Sequence, residues 1–278
     1  MPARPGHVFI GTSGWQYRHW RETFYPLGVA QGKWLEFYAE RFATVELNAS
    51  FYRLPSRETF EKWRVRTPDD FIFAVKMSRY LTHIKKLVEP EEPVERFLKH
   101  ATGLGDKLGP ILVQLPPTLP IDVEGLAHVL SLIPRDLRVA VEFRHDSWFV
   151  DDVREVLEKY GAANCWADRG SRPITALWRT TDWGFVRFHQ GNGRPWPCYS
   201  KEILSNWAQR IDETWGSDGD VYAFFNNDQR ACALRDAGLF SKAIAARRLE
   251  PTRVAPRRDV TLGDSEERDE PAGRDALW

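Results

Sequence analysis

Residues 139–145 read VAVEFRH and residues 184–190 read GFVRFHQ. Successive side chains of a strand point to opposite faces. Val139, Val141 and Phe143 therefore share one face and Glu142 and Arg144 the other, while Val186 and Phe188 oppose Arg187 and His189. Each run is apolar on one side and turns ionic on the other only near its C-terminal end. Further runs close in the same way: VFI on GTSGW, then VELN, FAVKMS, VQLPP, CWAD and AFFNND. Helical patterns separate them. Strand, polar tip and helix repeated around the chain is the pattern of a (β/α)8 TIM-barrel-like α/β domain, whose chemistry sits at the C-terminal tips.

The predicted strands are 7–12, 44–48, 70–78, 110–115, 137–143, 162–168, 184–189 and 220–226. Between them helices are expected at 31–41, 56–66, 93–107, 123–133, 149–160, 200–215 and 229–246, with one or two turns within 169–182. Trp34, Leu35, Tyr38 and Phe42 form a helical apolar face. Ser56 is placed to cap the second helix, and Pro116-Pro117 stops the fourth strand because proline cannot extend a ladder. The barrel is expected to occupy residues 1–249 as one domain. A polar, charge-rich segment, 250–278, reads as a flexible tail.

The chain has 278 residues, close to the roughly 250 typical of one such barrel. Its 39 basic and 39 acidic residues cancel, so no global field draws it to nucleic acid or an anionic membrane. No apolar run is long enough for a membrane span, and the N-terminus lacks a signal-peptide core, so a cytoplasmic location is expected. The three cysteines are far apart and form no CxxC pair, which argues against a disulfide framework or zinc cluster.

Parity selects the site. Glu46 and Asn48, Lys76 and Ser78, Glu142 and Arg144, and Arg187 and His189 are expected to point inward, with Gln114, Asp168 and Asn226 doing the same on their own strands. A charge buried alone is expensive, so cations and carboxylates gathered in one cup need one another, water or a ligand. Apolar layers would fill a barrel without that desolvation cost. A ligand site is the better reading than a structural ion network.

The motifs GTSGWQYRHWRETFYP, VELNASFYRLPS, FAVKMSRYLTH, VQLPP, VEFRHDSW, VRFHQG and FFNND resemble those of the YecE-like family, a TIM-barrel-like domain of unknown function. The resemblance covers about residues 8–245. It adds Tyr52, Arg53, His83, Trp148 and Asn227 to the candidates that parity selects, and it implies architecture and site but no reaction. Where the family has a His-Gly pair, Gln190 stands between His189 and Gly191.

For chemistry, Glu46 and Glu142 are candidate general bases, with His189 and His83 as acids titrating near neutrality. Lys76, Arg144, Arg187 and Arg53 suit an anion. Asn48, Gln114, Asn226, Asn227 and Asp168 would orient it, and Tyr52 and Trp148, with Trp15, Trp20 and Trp196, would stack on a sugar or base. The interleaved cations disfavour a metal, so no cofactor is expected, a single divalent cation being the minor alternative. The leading expectation is an enzyme acting by acid/base chemistry on a phosphate-bearing sugar- or nucleotide-like substrate. Two others stand behind it: a metal-independent glycosidase using two carboxylates, and a nucleic-acid- or ligand-binding protein with a basic rim at Arg18, Arg21, Arg53, Arg79, Lys85 and Lys86.

Overall fold

The computed structural model describes residues 6–260. All eight expected strands form: β1 (His7–Thr12), β2 (Thr44–Leu47), β3 (Ile72–Lys76), β4 (Leu108–Gln114), β5 (Val139–Glu142), β6 (Ala162–Arg169), β7 (Gly184–Gln190) and β8 (Val221–Phe225). A two-residue β9 (Glu250–Pro251) is added beside β1. The helices are α1 (Trp34–Arg41), α2 (Ala49–Tyr52), α3 (Arg57–Val65), α4 (Glu91–Ala101), α5 (Val123–Ser131), α6 (Asp151–Tyr160), α7 (Lys201–Trp215) and α8 (Cys232–Ala245). Ser56 caps α3 as expected, accepting from the Thr59 backbone N–H at 3.3 Å, a contact worth about 1 kcal/mol. Gly161 ends α6 in the left-handed conformation at φ 63°, which only glycine adopts freely.

The sheet is parallel and curled, in the order β2-β3-β4-β5-β6-β7-β8-β1-β9. Parallel neighbours need crossovers, and helices supply all of them except the one between β6 and β7 while covering the outer face. The ladder does not run on from β1 to β2, so the structure supports a nine-stranded curled α/β sheet rather than the fully closed cylinder of the sequence reading. At that seam the hydroxyl of Tyr38, from α1, accepts from the Thr12 N–H and reaches the Thr44 carbonyl, each at 3.1 Å. A side chain occupies the place of a ladder bond. Gly11 permits the approach: a Cβ there would lie 2.4 Å from the Thr44 oxygen.

Two apolar layers result from strand alternation. Val45, Val75, Val113, Val141, Val186 and Phe225 pack outward into the large core beneath the helices. Phe9, Ala74, Leu112, Ala140, Cys165, Phe185 and Phe224 fill the N-terminal part of the inner face. The inner layer floors the polar residues above it.

Several expectations need correction. Residues 250–260 are not a loose tail. Arg253 donates to the Ala39 and Phe42 carbonyls at 3.0 and 3.3 Å and pairs with Asp70, Asp259 binds Arg41, and Ala255 is buried. Charges read as solvated are here spent on specific partners. The remainder of the expected tail, 261–278, lies outside the described residues. The crossover at 169–182 forms no helix; Asp168 bridges to Pro173 instead. Cys198 and Cys232 form a disulfide with a Cα–Cα distance of 5.0 Å, tying the segment before α7 to the start of α8. Spacing along the chain does not reveal that proximity; Cys165 remains a buried free thiol.

Candidate anion site

Above the apolar floor lies a buried ionic tier. Arg187 of β7 grips Glu46 of β2 through two parallel bonds, Nε to Oε2 at 2.8 Å and Nη2 to Oε1 at 2.7 Å. Its remaining nitrogen, Nη1, binds Glu142 Oε2 of β5 at 2.5 Å. The other Glu142 oxygen accepts from Arg144 Nη2 at 2.6 Å and His189 Nε2 at 2.8 Å. The planar fork of arginine suits such a two-sided clamp, which a lysine cannot make. Two guanidiniums thus balance two carboxylates that are fully excluded from solvent.

The electrostatics follow from this geometry. Burial alone would raise the Glu142 carboxyl, but Arg187, Arg144 and His189 outweigh it and hold Glu142 well below its ordinary range. Burial works against the Arg187 charge, yet Glu46 and Glu142 raise its pKa further. For His189 burial prevails over Glu142 and lowers the ring to about 3. His189 Nε2 lies 2.8 Å from both Glu142 Oε1 and Arg144 Nη2, and Nδ1 lies 3.2 Å from the Asn226 amide. Because the Glu142 carboxylate can only accept, it favours the tautomer with the proton on Nε2 and Nδ1 as acceptor.

The mouth opens over this tier as a cavity of about 150 Å³. Lys76, Arg144, Arg169 and an edge of Arg187 line it, with the carboxamides of Asn48, Gln114 and Asn226, and with His189 and Tyr52. No carboxylate is part of the lining. Glu46 and Glu142 lie below it, committed to arginine. Arg144 Nε is buried with no hydrogen-bond partner in the structure. Lys76 Nζ lies 3.9 Å over the Phe51 ring, and among the described residues no hydrogen bond or ion pair is formed by it. Burial, then Arg187, lowers the Lys76 ammonium to about 7 against the pull of Glu46 and Glu142.

Parity therefore selects Glu46, Asn48, Lys76, Gln114, Glu142, Arg144, Arg187, His189 and Asn226, which the structure brings together, and Tyr52, which the family motif adds, lines the same cavity. Asp168 is a correction. Its carboxylate accepts from Tyr199 Oη at 2.7 Å and Trp207 Nε1 at 2.9 Å, so it faces α7 on the outer side. Burial raises its pKa despite those bonds. On β6 the inward set is Cys165 and Arg169, and Arg169 is the lining cation that the sequence reading missed. The two-residue period from Cys165 was the available signal.

Other candidates stand apart from the cup. Trp148 is buried, stacks on Phe143 and donates to the Leu119 carbonyl at 2.8 Å. Asn227 is buried and donates to Pro197 O and Asp236. Arg53 is exposed outside the lining. His83 bonds Thr82 at 2.8 Å and meets the Phe51 edge; burial, then Lys76 and Arg79, lowers it to about 4. Trp15 and Trp20 are core residues, whereas Trp196 is half-exposed against Arg230. Among the described residues, no group of three or more His, Cys, Asp or Glu side chains is arranged to hold a metal, and no helix is long and apolar enough to cross a membrane.

Comparison with known proteins places the chain in a family. The chain is 28% identical over 253 residues to the UPF0759 protein YunF of Bacillus subtilis, covering 80% of this chain and 89% of that protein. It is 31% identical over 173 residues to the UPF0759 protein YecE of Escherichia coli K12, covering 61% of each. A crystal structure of a DUF72 family protein from Thermotoga maritima superposes with a TM-score of 0.76 at 30% identity, over 86% of this chain and 99% of that one. An Enterococcus faecalis DUF72 protein, 20% identical with a TM-score of 0.72 over 86% of this chain and 95% of that one, shares the fold. The profile described as protein of unknown function DUF72 matches residues 9–259, and the chain belongs to that YecE-like family.

Proposed function

We propose that the protein is an enzyme acting on a small phosphate-bearing substrate, of the sugar-phosphate or nucleotide-like kind, held at the C-terminal mouth of the curled sheet. The observation that carries this reading is the lining: cations and carboxamides surround the cavity and no carboxylate does. A neutral ionic tier beneath leaves Arg169 as uncompensated positive charge, with Lys76 beside it poised between its charged and neutral forms near pH 7. On this reading the sheet acts as a (β/α)8 barrel whose one open seam is stitched by Tyr38.

Arg144 and Arg169 would hold the phosphate, and Asn48, Gln114 and Asn226 would orient the remainder. Glu142 is not a free base here. It fixes the His189 ring and would stabilise its protonated form. An arriving dianion favours that protonated form, so substrate itself would lift His189 toward the working range. The glycosidase reading is less favoured, because both glutamates are clamped by Arg187 and neither lines the cup.

The test is thermal unfolding with inorganic phosphate, sugar phosphates and nucleotides, each with EDTA present. Phosphate compounds should raise the melting temperature, and Arg144→Met and Arg169→Met should abolish the rise. Unchanged stabilisation in both variants would overturn the assignment.

A further inference from the structure

The protein has two buried lysines, and their environments are opposite. Lys107, 5% exposed, donates to Arg64 O at 2.7 Å, Thr67 O at 2.6 Å and Thr67 Oγ1 at 3.3 Å. Its three protons are all used, as a structural ammonium requires. Lys76 is 8% exposed and has none of this. Its nitrogen rests over the Phe51 ring and faces the cavity. The two glutamates able to hold an ammonium there are taken by Arg187.

We propose that Lys76 is an amine nucleophile that forms an imine with an aldehyde or ketone group of the substrate. The proposal rests on the phosphate-site reading above and deepens it: the substrate is a phosphorylated carbonyl compound, with its phosphate on Arg144 and Arg169 and its carbonyl carbon against Lys76 Nζ. An apolar wall and neighbouring cations are the two standard ways to leave a lysine uncharged and nucleophilic near neutral pH. Both are present, as the desolvated setting of Lys76, 8% exposed, and Arg187 and Arg144 beyond. Together they outweigh the Phe51 ring face and the two glutamates, which favour the ammonium, and the lowered Lys76 pKa of about 7 agrees.

The step balances without any further reagent. The Lys76 lone pair forms the C–N bond while the carbonyl π pair moves to oxygen, which takes up a proton as the nitrogen releases one. The C–O bond of this carbinolamine then breaks, oxygen leaves as water with a second proton, and C=N remains. Nothing is oxidised or reduced.

The experiment is reductive trapping on the full chain at pH 7. Glycolaldehyde phosphate or unphosphorylated glycolaldehyde is added with sodium cyanoborohydride, whose hydride reduces C=N to a stable amine, and labelled lysines are mapped by peptide mass spectrometry. Glycolaldehyde phosphate should label Lys76 at least tenfold faster than any other lysine. Inorganic phosphate should suppress that label, and Lys76→Arg should lose it. If phosphate raises the melting temperature but Lys76 is labelled no faster than exposed lysines, the nucleophile proposal falls and the phosphate site stands. If both aldehydes label Lys76 selectively and equally and phosphate has no effect, the nucleophile stands and the phosphate site falls.

Discussion

Arg187 and Lys76 lie on the same inner face of one sheet, a layer apart, and are held in opposite ways. Arg187 donates three bonds to two glutamates and is 2% exposed. Lys76 has an aromatic ring beneath it and an open cavity in front. The tier around Arg187 is closed on itself, and the rim around Lys76 and Arg169 is not. The lesson is that cationic residue type alone does not mark a binding site. On the proposed reading, what marks it is charge left over after the buried carboxylates have been paired.

The largest effect should come from breaking the tier. Arg187→Met leaves two buried glutamates without their clamp, and removing one partner of a buried ion pair costs about 3–5 kcal/mol. Urea unfolding at pH 7 measures it. Glu142 has a depressed pKa, so its contribution is present above 4.5 and fades as pH falls below that value. The gap between wild type and Arg187→Met should therefore narrow in acid. A loss under 1 kcal/mol at pH 7 would show that the tier is not a closed unit.

Lys76→Met should do the reverse and stabilise the fold. The folded-state pKa, about 7, lies below the ordinary 10.5, so the unfolded chain binds the proton more readily between these values. Wild-type stability from this group therefore rises with pH through that window, and the penalty is complete below pH 7. The gain in Lys76→Met should be about 3–5 kcal/mol at pH 6 and shrink toward pH 10. A pH-independent gain would mean that Lys76 is paired and charged throughout.

Asp168→Asn tests the outer side of the same sheet. Replacing the acceptor of the Tyr199 and Trp207 bonds should cost about 1–2 kcal/mol and leave phosphate binding unchanged. Weakened phosphate binding at equal foldedness would return Asp168 to the cup. Arg169→Met should change stability least, within about 0.5 kcal/mol, for a side chain that is exposed and forms no hydrogen bond or ion pair among the described residues.

Much of this was legible in the sequence because two-residue alternation is a strong signal wherever apolar and ionic residues interleave. VAVEFRH and GFVRFHQ placed Glu142, Arg144, Arg187 and His189 correctly on that basis alone. CWADR failed because both faces carry large or small apolar residues. The polar Asp168 drew the reading to the wrong parity, when its acceptors' partners, Tyr199 and Trp207, lie some thirty residues or more away. Nor does alternation say which ions pair. Arg187 had seemed available to a ligand, and only the bidentate geometry with Glu46 removes it. The Tyr38 seam and the Cys198–Cys232 link likewise depend on contacts between distant segments, which strand periodicity does not encode.

On the proposed reading the rim cations form an anion site. Isothermal titration with sulfate at pH 7 in EDTA, on wild type, Asp168→Asn and Arg169→Met, tests it most directly. One sulfate per chain is expected for wild type and Asp168→Asn, and at least tenfold weaker binding for Arg169→Met, about 1.4 kcal/mol. No binding to wild type, or equal binding to all three chains, would contradict it.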